Sequence, residues 1–265
     1  MLRVLGVHGI GTYRYYRPTG SADDAANALA TDWFRHLGTA IPPATSVDLR
    51  VAYYGQHVYP GFEEDAAMLG PEERAVLADW VAQFGPGLDP LEAADWLART
   101  YGPATRLFGL AFAREVHTYF SDAARREAAR TAVAQAIAKY RPDVLLAHSL
   151  GSVVAYETLW AHQNLDVPLL VTLGSPLAMP RLVLPRLEPG EAARPPQVGR
   201  WVNLADVADI VALPSSGLGT RFTGVERDIP ILAGMWEFHT PGAYLRSTEV
   251  TRVIFDETPA VESSP

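Results

Sequence analysis

The stretch Val144-Leu145-Leu146-Ala147-His148-Ser149-Leu150-Gly151-Ser152-Val153-Val154 decides the reading of this chain. Its first four residues are a short apolar run, which reads as a buried strand. Gly151 to Trp160 reads as a helix. Between them lies a small-x-Ser-x-Gly string. A serine on so tight a strand-to-helix turn projects its hydroxyl while its backbone faces the helix N-terminus. Only small residues fit two positions to either side, and Ala147 and Gly151 meet that demand. The helix start offers unpaired N–H groups and the positive end of a dipole. Ser149 is therefore a candidate nucleophile, and the N–H of Leu150 a candidate donor to a developing oxyanion. Without the flanking strand and helix, the same string would suit an ordinary loop serine equally well.

Upstream, Leu2 to Val7 is a second buried strand, ending at His8-Gly9-Ile10-Gly11. Glycine there lets a backbone N–H turn into a cavity, so Ile10 N–H is the candidate second oxyanion donor. Gly11 to Gly20 reads as a loop. Its Tyr13, Tyr15 and Tyr16, together with His148, are candidate substrate contacts. Ser21 followed by Ala22-Asp23-Asp24 marks a helix start; Leu29, Trp33, Phe34 and Leu37 carry the helix to Gly38. Val47 to Tyr54 alternates as a strand. From Tyr59 to Phe120 three short helices are expected, the second opened by Asp89-Pro90-Leu91-Glu92. Glu63-Glu64-Asp65 reads as a solvated acidic turn. The aromatics Trp80, Phe84, Trp96, Tyr101, Phe108, Phe112 and Phe120 either line an apolar pocket or pack these helices onto the body. Ser121 to Tyr140 is an Ala-rich helix, with Arg125, Arg126 and Arg130 expected on its solvated side and Pro142 ending it.

Downstream, Pro168 to Leu173 and Trp201 to Leu204 read as strands. Met179 to Arg200 carries five prolines and reads as a loop or mobile flap. Asp206 to Gly219 is a loop, and Pro241 to Phe255 a final helix. Strands alternating with helices imply a mostly parallel sheet covered on both faces.

A serine nucleophile needs a base, and the base an orienting acid. With this elbow the chain order is Ser, acid, His. Only His162 and His239 follow Ser149. His162 lies about three turns along the next helix, too far to reach back. His239, in Trp236-Glu237-Phe238-His239-Thr240-Pro241-Gly242, is the candidate base. Asp206 and Asp209, in Trp201 to Val211, are both candidates for the acid; the other would cap a turn.

The chain has 265 residues, 48% hydrophobic and 20% charged, with formal net charge −8. That is an ordinary globular balance, and one domain over residues 1–265 is expected. The acidic balance disfavours nucleic acid and anionic membranes as partners. Absence of cysteine excludes disulfides, Cys-ligated metal and a thiol nucleophile. No dense ligand cluster points to a metal, and no phosphate-binding loop to a nucleotide cofactor. No signal peptide or membrane span is expected, which makes a cytoplasmic location the expectation. No charged cluster points to a phosphate or carboxylate substrate.

The chain resembles the α/β-hydrolase fold, and within it the lipase/esterase-like branch. The resemblance rests on His8-Gly9, the elbow Ala147 to Gly151, Leu173-Gly174-Ser175-Pro176-Leu177, the Asn203 to Pro214 segment and the His239 loop, in the expected order over nearly the whole chain. Asp209-Ile210-Val211-Ala212-Leu213-Pro214 looks like the acid loop of lipases, and that likeness selects Asp209 over Asp206. Two departures stand out. Ala147 replaces the usual first glycine of the elbow. The chain also begins at what would be the third strand of the full fold. The resemblance thus implies a reduced α/β-hydrolase fold of about six strands, helices on both faces, and residues 59–120 as an inserted helical cap.

The expectation is a serine hydrolase acting on a carboxylic ester or thioester of a lipophilic small molecule. Ser149 is the nucleophile, His239 the base, Asp209 the acid, and Ile10 and Leu150 the oxyanion donors. The acyl substrate is the one partner expected, without cofactor or metal; the oligomeric state is left open. Acyl transfer or cyclisation from the same acyl-enzyme is the alternative chemistry. A non-catalytic binding module is the alternative of another class.

Overall fold

The computed structural model describes residues 1–38, 41–43, 45–61, 68–232 and 239–255, apart from the side chains of 90 and 91. The acidic turn at 63–65, and 236–238 of the histidine loop, lie outside them. The described elements run β1 (Leu2–Val7), α1 (Tyr13–Tyr16), α2 (Ala22–Leu37), β2 (Val47–Ala52), α3 (Gly55–Val58), α4 (Pro71–Val81), α5 (Pro90–Tyr101), α6 (Ala104–Ser121) and α7 (Ala123–Tyr140). They continue with β3 (Val144–His148), α8 (Leu150–Ala161), β4 (Val167–Leu173), β5 (Val198–Asp206), β6 (Arg227–Ile231), α9 (Pro241–Leu245) and α10 (Thr248–Phe255).

The six strands form one sheet in the order β2-β1-β3-β4-β5-β6, and every pairing is parallel. Alternation along each strand sends neighbouring side chains to opposite faces. Val4, Val144 and Leu146 join Leu29, Trp33 and Leu37 of α2, with Tyr244, Val250 and Val253 of the last helices, on one face. Leu5, Val7, Leu145 and Ala147 join α4 to α8 on the other. The fold is thus of the α/β class, with helices on both sides of the sheet. Burying a side chain such as Trp33 contributes roughly 1.5–3 kcal/mol or more.

Strand order reverses between β1 and β3. From there the chain lays β2 on one side and β4 to β6 on the other. Such a switch point opens a crevice at the carboxyl ends of the strands. The loop after β1 and the turn after β3 both leave from it, bringing His8 to Thr12 and Ser149 side by side.

Five expectations need correction. Tyr13 to Tyr16 is a short helix within the expected loop. The long helix begins at Ala123, not Ser121, which ends α6; Asp122 caps it, its carboxylate accepting from Ala124 and Arg125 N–H. Residues 179–197 are largely loop, as expected, but not a mobile flap: Met179, Leu182, Val183 and Leu187 are buried in the core, 184–186 form a 3₁₀ turn, and 198–200 already belong to β5. The C-terminal helix is two helices, α9 and α10, interrupted at 246–247. Finally, Arg126 is buried and not solvated.

Arg126 joins Glu157 of α8, which is wholly buried. Its Nε donates to Glu157 Oε2 at 2.9 Å and its Nη2 to Oε1. Tyr119 OH donates to Oε2 at 2.6 Å, and the Glu188 N–H to Oε1 at 3.0 Å. Both carboxylate oxygens are therefore satisfied, and three helices and a loop share a charge cluster in which Arg126 Nη1 also donates to Glu188 Oε1 at 3.0 Å, on the half-exposed side of the pair. Breaking such a pair from one side leaves a buried uncompensated charge. Glu157→Ala is expected to lose about 3–5 kcal/mol of stability, seen as a lower urea midpoint. Replacing Glu157 and Arg126 together by Leu and Met is expected to recover most of that loss. A single variant as stable as the parent would contradict this account.

Candidate active site

The chain turns at Ser149 with φ 55° and ψ −132°, a conformation that L-residues rarely adopt. Several bonds hold it there. Ser149 N–H donates to Leu173 O of the neighbouring strand at 3.0 Å. The Ser149 carbonyl accepts from Ser152 N–H at 2.9 Å and from Ser152 Oγ at 2.6 Å. Two residues on, a Cβ at Gly151 would stand 2.4 Å from Val7 O and 2.3 Å from His8 O. Any side chain there would push α8 off the end of β1. The demand for a small residue after the serine is thus a backbone-to-backbone contact.

Ser149 Oγ lies 2.7 Å from His239 Nε2, and His239 Nδ1 lies 2.7 Å from Asp209 Oδ2. A carboxylate can only accept, so the imidazole carries its proton on Nδ1 and offers Nε2 to the serine hydroxyl. All three residues are buried. Asp209 follows β5, and its carboxylate takes further bonds from Tyr244 OH at 2.6 Å and Val211 N–H at 2.8 Å. Burial alone would raise this carboxyl. The nearby His239 and these hydrogen bonds outweigh it and hold Asp209 below the usual range. Asp206 instead caps its own turn through Ala208 N–H at 2.7 Å, and its N–H donates to Tyr244 OH.

Tyr244, wholly buried, is a partner that sequence reasoning missed. Burial beside Asp209 raises its hydroxyl far above the ordinary range, so it stays a donor. Gly174 was noticed only as part of a strand-end segment. It has φ 55°, and a Cβ on it would stand 2.8 Å from Asp209 Oδ2 and 3.1 Å from His239 Nδ1. Trp80 Nε1 of α4 donates to Ile210 O at 2.9 Å, fixing the acid loop from the 59–120 segment.

The loop after β1 is held by side chains. Tyr54 N–H donates to His8 Nε2 at 3.1 Å, Tyr54 OH donates to His8 O at 2.6 Å, and the two rings stack at 4.2 Å. His8 Nδ1 stands 2.8 Å from Gly9 O. Burial lowers His8 to about 4, so the ring is neutral near pH 7. Gly9 packs on the Ser149 side chain. Gly11 N–H donates to Glu115 Oε1 of α6 at 2.9 Å. His148 is lowered well below its ordinary value, by burial first and by His239 second; its ring is hydrogen-bonded to the His239 backbone. His148 Nε2 is buried without a partner among the described residues.

A cavity of about 550 Å³ opens at Ser149, within the usual range for small-molecule sites. Ile10, Thr12, Tyr15, Trp33, His148 and His239 are among its lining residues. Tyr13 and Tyr16 are not; they stack on Tyr59 at 3.8 Å and on Tyr53 at 6.1 Å. Of the seven aromatics named above only Phe108 reaches the cavity, with Leu107 and Ala111 beside it. Its ring meets His239 edge-on at 5.3 Å. Trp80, Phe84, Trp96, Tyr101 and Phe112 pack on one another.

Among the described residues no group of three or more His, Cys, Asp or Glu side chains is placed to hold a metal. No described helix is long and apolar enough to cross a membrane. No protein-family model matches the chain, and no curated protein is found similar to it. Among solved structures, the chain has a likeness to the crystal structure of the esterase domain from a Rhodothermus marinus protein. The two are 13% identical over 94% of this chain and 84% of that one, with a TM-score of 0.35. A likeness at that level carries no argument about the site.

Burial also pushes the Glu115 carboxyl up to about 8, against the bond from Gly11 that favours its charge. The folded chain keeps this proton where the unfolded chain, near 4.5, has lost it. The contribution of Glu115 to stability is therefore full below about 4.5 and is lost as pH rises to about 8. Glu115→Gln cannot ionise but keeps the acceptor oxygen. The melting temperature of the variant relative to the parent is expected to rise steadily between pH 4 and pH 8, by scanning calorimetry. A difference independent of pH would show that Glu115 is not held neutral.

Proposed function

We propose that this protein is a serine hydrolase of the α/β-hydrolase superfamily, with residues 59–120 acting as a helical cap within a single domain of residues 1–265. Its reaction is cleavage of a carboxylic ester or thioester through an acyl-enzyme on Ser149. One observation carries this reading: the unbroken relay from Ser149 Oγ to His239 to Asp209, each link 2.7 Å, at the floor of a cavity.

Ser149 Oγ attacks the acyl carbon while its proton passes to His239 Nε2. Asp209, kept ionised by Tyr244 OH and the Val211 N–H, stabilises the imidazolium through Nδ1. The acyl oxygen gains the displaced electron pair and faces the N–H groups of Ile10 and Leu150, each worth about 3 kcal/mol to the transition state. As the tetrahedral adduct collapses, the bond to the leaving oxygen or sulfur breaks and that atom takes the proton from Nε2. Water repeats the sequence: His239 removes its proton, the acid product leaves, and Ser149 Oγ regains a hydrogen. His8 and His148 are neutral at neutral pH and contribute no competing charge.

A fluorophosphonate probe is expected to label the folded protein at Ser149 between pH 6 and 9, as mapped by peptide mass spectrometry. Ser149→Ala is expected to remain unlabelled. His239→Ala is expected to lower nitrophenyl ester turnover by roughly four orders of magnitude. Folded parent protein that resists the probe throughout this pH range would refute the reading.

A further inference from the structure

Arginines that are far apart in the sequence meet at the mouth of this cavity. Arg14 comes from α1, Arg35 from α2 and Arg246 from the residue after α9; all three line the cavity that holds Ser149. In a chain with net charge −8, three guanidinium groups at one mouth are a local reversal of sign. One carboxylate, Asp32, lies among them. Both of its oxygens are engaged, by Tyr15 OH at 2.5 Å and by Arg35 Nη1 at 2.8 Å.

Arg14 is different. Its Nη2 donates to Tyr15 OH at 3.2 Å, and its guanidinium lies 5.0 Å from the Tyr15 ring centroid. It has no carboxylate partner among the described residues. Arg246 Nη1 stands 2.8 Å from His36 Nδ1. That pair lies over Gly242, where a Cβ would meet the His36 ring at 3.0 Å and Arg246 Nη1 at 3.1 Å. Gly242 and His239 also line the cavity, so this pair stands on its wall. The arginines therefore flank the route to Ser149, while Leu107 and Phe108 give the cavity an apolar lining elsewhere.

We propose that the preferred substrate is an anionic ester: an apolar body carrying a second, negatively charged group, which Arg14 receives at the mouth of the cavity while the ester carbonyl sits at Ser149. Guanidinium groups bind carboxylates and phosphates through paired, charge-assisted hydrogen bonds, and one open guanidinium suffices to discriminate. The attraction is partly exposed, so it weakens with salt. The inference rests on the hydrolase reading and names its substrate class.

Matched esters test it. The mono-4-nitrophenyl ester of glutaric acid and the same compound methylated at its free carboxyl differ only in charge. At low ionic strength the charged ester is expected to have about tenfold higher kcat/KM, mostly through KM, equivalent to roughly 1.4 kcal/mol. The ratio is expected to shrink in 0.5 M NaCl and to approach one in Arg14→Gln, while Arg14→Lys keeps part of it. An analogue with a phosphate in place of the carboxylate distinguishes the two anion types; preference for either supports the proposal. Efficient turnover of the methyl ester with no preference for either anion overturns the proposal and leaves the hydrolase reading standing. No turnover of any ester, with Ser149 unlabelled by the fluorophosphonate, overturns both.

Discussion

The close approach of α8 to the end of β1 is the contact on which the site depends. At Gly151 the first turn of the helix touches the carbonyls of Val7 and His8, with no room for a methyl group. That contact sets how near Ser149 stands to the loop after β1. It also fixes the direction of the helix N-terminus relative to the cavity. The price is a serine at positive φ, a strain of order 1–3 kcal/mol. Bonds from Ser152 and to Leu173 hold the turn in place. An ordinary loop would relax; this one is gripped from the helix on one side and the sheet on the other.

A second layer positions Asp209 and His239, the proposed acid and base. Asp209 and His239 come from loops after β5 and β6, and neither loop is short. Each is held by something outside itself. Tyr244 OH joins the Asp209 carboxylate to the Asp206 N–H, so the turn after β5 and the helix after His239 share one hydroxyl. Trp80 reaches the same turn from α4. Gly174, at positive φ, leaves the space that the carboxylate and imidazole occupy. These contacts explain how Asp209 and His239, 60 and 90 positions beyond Ser149, come into one hydrogen-bonded chain with it.

The parts legible in the sequence were those governed by local pattern. Leu2 to Val7, Val144 to Ala147 and Pro168 to Leu173 are apolar runs bounded by turn residues, and they are strands buried on both faces. Ser21 announced α2 through its own hydroxyl, which accepts from Asp24 N–H. The strand β6 was not legible. Arg227-Asp228-Ile229-Pro230-Ile231 is an edge strand with charged residues and a proline, and edge strands tolerate these because one side needs no pairing. Arg126 misled for another reason. An arginine on an Ala-rich helix reads as solvated unless its partner is known, and Glu157 lies 31 residues away on another helix, α8. Tyr244 and the arginine rim were invisible on the same ground, because their meaning is set by spatial neighbours and not by spacing.

The distribution of charge around Ser149 follows from these placements. Among the described residues, three buried titratable groups around the cavity are neutral at pH 7: His8 and His148 by burial, and Glu115 below about 8. Asp209 is the exception, and its charge is committed to His239, Tyr244 and backbone N–H groups. An oxyanion forming at the proposed nucleophile would therefore find no buried cation waiting for it. It would have to be met by backbone dipoles, which is what the end of α8 and the loop after β1 provide. The guanidinium groups stay at the exposed mouth, where their charge is not desolvated and costs little. An arginine placed deeper would compete with His239 for Asp209 and weaken the proton relay. Dipoles inside and cations outside would consequently let a site of the proposed kind attract an anion without disabling its base.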